Sequence, residues 1–228
     1  MKKIDKKQQL STVYKKWEND LEEKNTDHPK YISSKGEYYI DIVMDLLRCQ
    51  NGLCAYTEVQ LCPIEFLTDN KWVKGRYKEN IDGKVHNGQL EHFDESLKWK
   101  EKSEKTTTDN NVIYQKKDWL WSNFFMVDSD TNNRKSTKAV DYIVKPDLDN
   151  YDPFKLFDYS LITHMFTPNT DLTKTEQNRI RAMIEVLGIN FSNVVDKRRQ
   201  VLTRTVNYPL ISEIQFPTAV EFYKRNSI

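Results

Sequence analysis

Glu91-His92-Phe93 stands at the end of a strand-like run, Gln89-Leu90-Glu91-His92-Phe93. Further along come Trp121-Ser122-Asn123-Phe124-Phe125 and then Ser129-Asp130-Thr131-Asn132-Asn133-Arg134-Lys135-Ser136. A carboxylate beside a histidine, an asparagine on an apolar strand and an asparagine opening a basic helix are the parts of a one-metal hydrolysis of phosphodiesters. A hard cation such as Mg²⁺ or Mn²⁺ takes oxygen ligands and keeps several waters, so Glu91 and Asn132 suffice as its protein ligands. A neutral imidazole, His92, can take the proton of the attacking water near physiological pH. Its ring must be held in one tautomer, and Asn123, or a backbone carbonyl near it, is expected to hold the ring or the loop beside it. Arg134 and Lys135 fall where a substrate phosphate would lie, next to a helix N-terminus that favours anions. Adjacent residues of an ideal strand face opposite ways, so Glu91 and His92 can cooperate only if the strand ends or twists there.

Each part alone has a plainer reading. A Glu-His pair is commonly a surface pair, Asn132 a helix N-cap, and Asn123 a buried amide. Their order, with basic residues after the last asparagine, carries the chemical reading.

The elements that must position these residues are readable from periodicity. Leu10, Val13, Tyr14, Trp17 and Leu21 fall at helical spacing, and Tyr39, Ile40, Val43, Met44 and Leu47 mark a second helix from Gly36 to Arg48, stopped at Asn51-Gly52. Leu53 to Thr57 reads as a short strand or turn. Asp82-Gly83 and Asn87-Gly88 are turn signals, followed by the strand 89–93 and a charged loop, 94–111. Trp119 to Val127 reads as a buried strand with a helical entry, and Asn132 to Val140 as a short helix. Pro146, Asp149-Asn150 and Asp152-Pro153 mark a boundary. The C-terminal third reads as helical, with a capping box at Thr173 and Glu176 opening one helix that ends at Gly188, and another carrying Phe191, Val194, Val195, Val201 and Leu202.

Composition narrows the class. In 228 residues, 12% aromatic content argues against disorder, and no run reaches the ~18 apolar residues that cross a bilayer. The N-terminal lysines have no apolar segment behind them, so no signal peptide is expected. Three clustered cysteines (Cys49, Cys54, Cys62) suit reduced thiols, and a cytoplasmic location is expected. The net charge is only +1. Phosphate neutralisation supplies most nonspecific affinity for nucleic acid, so grip must come from local runs (Lys98–Lys105, Lys116-Lys117, Arg134–Lys138, Lys197–Arg199) or from a partner. As bland alternatives, such runs are solvated faces.

These residues resemble the HNH endonuclease family, whose members read Cys-x-Tyr-Cys, Asp/Glu-His-hydrophobic, Asn-hydrophobic-hydrophobic and Cys-x-x-Cys-Asn-x-x-Lys. This chain has Cys54-Ala55-Tyr56-Thr57, Glu91-His92-Phe93, Asn123-Phe124-Phe125 and Asp128-Ser129-Asp130-Thr131-Asn132-Asn133-Arg134-Lys135. The last segment also resembles the zinc-free HNH domain of RNA-guided CRISPR nucleases. Glu91-His92-Phe93, Glu185-Val186-Leu187-Gly188-Ile189-Asn190 and Arg198-Arg199 resemble the HNH effectors of Septu- and retron-associated anti-phage systems, which act beside an ATPase. Many members carry a structural Cys₄ zinc. Here only Cys54 remains, the other positions being Thr57, Asp128 and Thr131. The zinc is therefore expected to be absent, with Trp119, Trp121, Phe124 and Phe125 packing in its stead.

The resemblance implies an α+β fold, a ββα-metal core over 49–140 between helical regions 1–48 and 141–228, mostly α overall. It implies Glu91 and Asn132 as metal ligands, His92 as base and Asn123 as its orienter, with Arg134 and Lys135 on the phosphate. The expected function is Mg²⁺- or Mn²⁺-dependent hydrolysis of DNA in a defence complex with an ATPase partner, away from membranes. The competing readings are a degenerate module that binds nucleic acid or a partner without catalysis, and the same chemistry on RNA.

Overall fold

The computed structural model describes residues 1–31, 36–79, 85–98, 116–136, 141, 143–207 and 215–226. The expected turn at 82–83, most of the loop 94–111, the lysines at 100, 102, 105 and 138, and residues 137–140 lie outside them.

The fold is mixed α+β, 46% helical with small antiparallel sheets. Helix α1 (Thr12–Lys24) buries Tyr14 and Glu18. Helix α2 (Tyr39–Cys49) buries the run Asp41 to Leu47. It stops where Asn51 and Gly52 turn left-handed, at φ 55° and 74°. A Cβ on Gly52 would lie 2.4 Å from the Cys62 carbonyl oxygen, so the chain needs glycine there. A small hairpin, β1 (Trp72–Val73) and β2 (Arg76–Tyr77), is tied to α2 through Asp41, which accepts from Tyr77 N and Arg76.

The centre of the molecule is an antiparallel pair, β3 (Gly88–His92) with β4 (Phe124–Asp128), in which Glu91 faces Phe125 and His92 faces Phe124 across the ladder. A 3₁₀ turn over Trp121–Asn123 is the helical entry expected before β4. Phe124, Phe125, Met126 and Val127 are all fully buried, so β4 has no solvent face; each contributes on the order of 2 kcal/mol of apolar burial. The Gln50 side chain seats β4 on the end of α2, accepting from Met126 N and donating to Met126 O. Helix α3 (Ser129–Lys135) follows β4 directly, capped by Asp128 and stopped at Ser136, so it opens three residues before the expected start at Asn132 and ends well short of Val140. It packs on both strands.

The C-terminal third departs from an all-helical expectation. After α4 (Pro153–Leu156) come β5 (Phe157–Tyr159) and β6 (Phe166–Pro168), an antiparallel hairpin. Helices α5 (Lys174–Val186), with the expected Thr173–Glu176 capping box, α6 (Ser192–Asn207) and α7 (Pro217–Asn226) follow. The hairpin is held from a distance: the Asn190 amide pairs with both Phe166 N and Phe166 O. Below it, the buried Arg198 guanidinium donates to the carbonyls of His164 and Ile189.

Apolar residues of all three sequence regions meet in one core. Glu58, 4% exposed and left-handed at φ 61°, ties them together: its carboxylate accepts from Lys2 N and from Thr218 N and Oγ1. Among the described residues no helix is long and apolar enough to cross a membrane.

Candidate functional site

β3 alternates, and the alternation runs unbroken through Glu91 and His92. Gln89 and Glu91 face α3, while His92 faces the other way. Glu91 is 3% exposed. Its Oε2 accepts from the buried Tyr56 hydroxyl at 3.1 Å, and its Oε1 lies 2.7 Å from the Lys135 ammonium. Burial pushes the Glu91 pKa up, and Lys135 and Tyr56 offset only part of this.

Asn132 lies on the same side, in the first turns of α3, where its Nδ2 donates to Gln89 Oε1 at 2.8 Å. The structure therefore brings Glu91, Asn132 and Lys135 to one helix–strand seam. It does not bring His92 there. β3 ends at His92, one hydrogen bond beyond it joining Phe93 N to Asn123 O at 2.7 Å, so Glu91 and His92 are both still paired in the ladder and their side chains have partners on opposite sides.

His92 is 2% exposed, with Tyr31 and Phe124 edge-on to its ring at 4.9 and 4.7 Å. Nε2 lies 2.9 Å from the Asp118 carbonyl oxygen. A carbonyl only accepts, so Nε2 carries the proton and Nδ1 the lone pair. Burial, with Lys98 and Lys135 adding to it, draws the His92 pKa down to about 3. The ring is neutral at physiological pH, and a weak base.

Asn123 is a clamp on the chain just after His92. Its Oδ1 accepts from Asp94 N at 2.8 Å and its Nδ2 donates to Asp94 O at 3.1 Å, extending the ladder with a side chain. The ring itself is held by the Asp118 carbonyl.

The two residues expected at the phosphate turn elsewhere. Lys135 is 1% exposed and points into the seam, because Thr131 and Lys135 share the buried face of α3 at helical i, i+4 spacing. Arg134 lies flat on the Phe191 ring, 3.2 Å from its centroid. A cleft of about 530 Å³ opens beside Phe93, lined by Lys145, Lys155 and Arg179 among others, with Asp141 and Asp152 also on its walls.

The four positions that the family resemblance matches to zinc ligands do converge, on a carboxylate. Asp128 Oδ2 accepts from Thr131 Oγ1 at 2.7 Å, Thr57 Oγ1 at 2.9 Å and Cys54 Sγ at 3.1 Å. Its Oδ1 caps α3 by accepting from Thr131 N at 2.9 Å. Burial acts to raise the Asp128 pKa, and these bonds outweigh it, leaving it below the ordinary value. Burial and Asp128 push the Cys54 thiol up to about 12, so it is a donor here and no thiolate. Among the described residues no three His, Cys, Asp or Glu side chains form a metal-holding cluster. An oxygen site of one carboxylate, one amide and backbone carbonyls lies outside that pattern.

Sequence reasoning passed over Tyr56 and Gln89 as partners of the site. Gln89 was readable, since it lies two residues from Glu91 on one strand face; Tyr56 reaches Glu91 only through the tertiary fold. Compared with protein-family models and with curated proteins, the chain matches none.

Proposed function

We propose that the chain is a divalent-metal-dependent endonuclease of the HNH type that acts on DNA, with β3, β4 and α3 as its ββα unit, and that it works beside an ATPase partner in anti-phage defence. The observation that carries this reading is the seam itself: α3 follows β4 and lies across β3 so that Asn132 and Glu91 share one face, while Asn123 clamps the backbone directly after Glu91-His92. Oxygen donors of Glu91, Asn132 and the neighbouring carbonyls suit Mg²⁺ or Mn²⁺. When bound, such an ion supplies charge stabilisation to the phosphate and the departing oxygen.

The chain's own residues do the rest. Asp118 O fixes the His92 tautomer, and Nδ1 is the nitrogen that takes a proton from water. Base strength returns toward the ordinary histidine value of about 6.5 once Tyr31 lifts off the ring and water reaches it. The last residues of β3 must also turn so that His92 and Glu91 serve one phosphate. The net charge of +1 supports a partner that supplies part of the grip on the polymer.

A second reading, a binding module without catalysis, is favoured by the Lys135–Glu91 pair and the buried His92. Plasmid cleavage with Mg²⁺ or Mn²⁺, by the wild type and by His92→Ala, tests the first. Loss of cleavage in the variant is expected, and equal activity in both sinks the assignment. Mn²⁺ binding that weakens in Glu91→Ala and Asn132→Ala favours the enzyme, and binding indifferent to both favours the module.

A further inference from the structure

Lys135 is a buried charge with three oxygens close to its ammonium. Its ammonium donates to Phe93 O at 2.8 Å and to His92 O at 3.3 Å, and pairs by charge with Glu91 Oε1 at 2.7 Å, an oxygen that accepts no hydrogen bond. A carboxylate and two consecutive backbone carbonyls are also a donor set that hard divalent cations use. We infer that Lys135 is a tethered cation that competes with the divalent ion for Glu91, so that metal binds only as the lysine withdraws. This rests on the metal reading of the site given above, and it adds a control on it.

Glu91 is 3% exposed, and a buried carboxyl is held as an anion only by a partner of opposite charge. In the structure the partner is Lys135, itself 1% exposed and placed by Thr131 one turn earlier on the same buried helix face. An ammonium and a divalent cation cannot share one carboxylate oxygen in a buried site without strong repulsion. Lys135 is the terminal residue of α3, and the next residue, Ser136, leaves the helix at φ 43°. Its withdrawal therefore requires movement of a helix end only, with Asp128 still capping the other end. Asn132, one turn before Ser136, stays in place to take up the ion.

The test compares Mn²⁺ affinity by calorimetry in the full chain, its Lys135→Met variant and the Glu91→Gln/Lys135→Met double variant. Methionine keeps the aliphatic stem and removes the charge. Lys135→Met is expected to bind Mn²⁺ at least tenfold more tightly than the wild type, and the double variant to lose that gain. Equal affinity in wild type and Lys135→Met overturns the competition while leaving a metal site standing. Tighter binding that survives in the double variant overturns it too, since the ion then binds away from Glu91. No Mn²⁺ binding by either protein removes the metal reading itself, and the competition with it. If Lys135→Met does not fold, the ¹⁵Nζ resonance of Lys135 in the wild type decides. It should shift as Mg²⁺ is added; a resonance that stays fixed while calorimetry records Mg²⁺ binding refutes the inference.

Discussion

Replacing Asp128 by alanine removes the acceptor on which four separate donors close. Thr57 and Cys54 are 3% and 1% exposed, so their hydroxyl and thiol would be stranded away from water. Thr131 keeps one acceptor, the Leu187 carbonyl at 3.3 Å. Loss of the helix cap costs about 1 kcal/mol, and a stranded buried hydroxyl costs on the order of 1–2 kcal/mol. The thiol is a weak donor and adds less. Together the expected loss is about 3 kcal/mol, a large share of the ~5–15 kcal/mol that holds a typical domain folded. Asp128→Asn keeps one acceptor oxygen for the cap and should lose roughly half as much. Urea unfolding at pH 7 measures both.

Acid supplies an internal control. A carboxyl whose folded pKa is depressed contributes stability above its unfolded value of about 3.9, and that contribution disappears as pH falls through the lower folded value. The gap between wild type and Asp128→Ala should therefore narrow below pH ~4. A loss under ~1 kcal/mol at pH 7, or a gap unchanged down to pH ~3, refutes the reasoning.

Two further outcomes are expected. Burial raises the Glu18 pKa to about 7, with the Trp121 N–H opposing it. Between the unfolded glutamate value of ~4.3 and this folded value, the native state holds a proton that the unfolded chain has released, so stability falls as pH rises. Glu18→Gln, which can accept the same N–H, should flatten that window and stabilise the protein at pH 8 by on the order of 1–3 kcal/mol; parallel urea-midpoint profiles for the two proteins contradict this. Asn123→Ala should cost about 2 kcal/mol by cutting both bonds to Asp94. It should also speed hydrogen exchange at the Asp94 amide, and an unchanged exchange rate there would falsify the clamp.

What could be read in the sequence was what depends on local period. The stripe of α2, the Asn51-Gly52 stop, the capping box of α5 and the run Trp119–Val127 with its helical entry all follow from neighbouring residues. The β5–β6 hairpin did not show, because its three-residue strands are held by Asn190 and Arg198 from well along the chain. The same division runs through the candidate site. Strand alternation already implied that Glu91 and His92 face apart, whereas the inward turn of Lys135, expected at a phosphate, follows only from how α3 packs on β3 and β4. The cover of Tyr31 over His92 and the reach of Tyr56 to Glu91 come from distant parts of the chain, and no local pattern announces them.

Glu58 bears on the order in which the molecule is made. Its carboxylate joins Lys2 to Thr218, contacts whose closure entropy is met only late in folding. A chain emerging from the ribosome completes β3, β4 and α3 well before Thr218 appears. Until then Glu58 has Lys2 but lacks its α7 partner, and α3 lacks the α5 end whose Leu187 carbonyl takes the Thr131 hydroxyl. The core that all three regions share therefore closes only when the C-terminal helices are present, with Glu58 as the residue that registers their arrival.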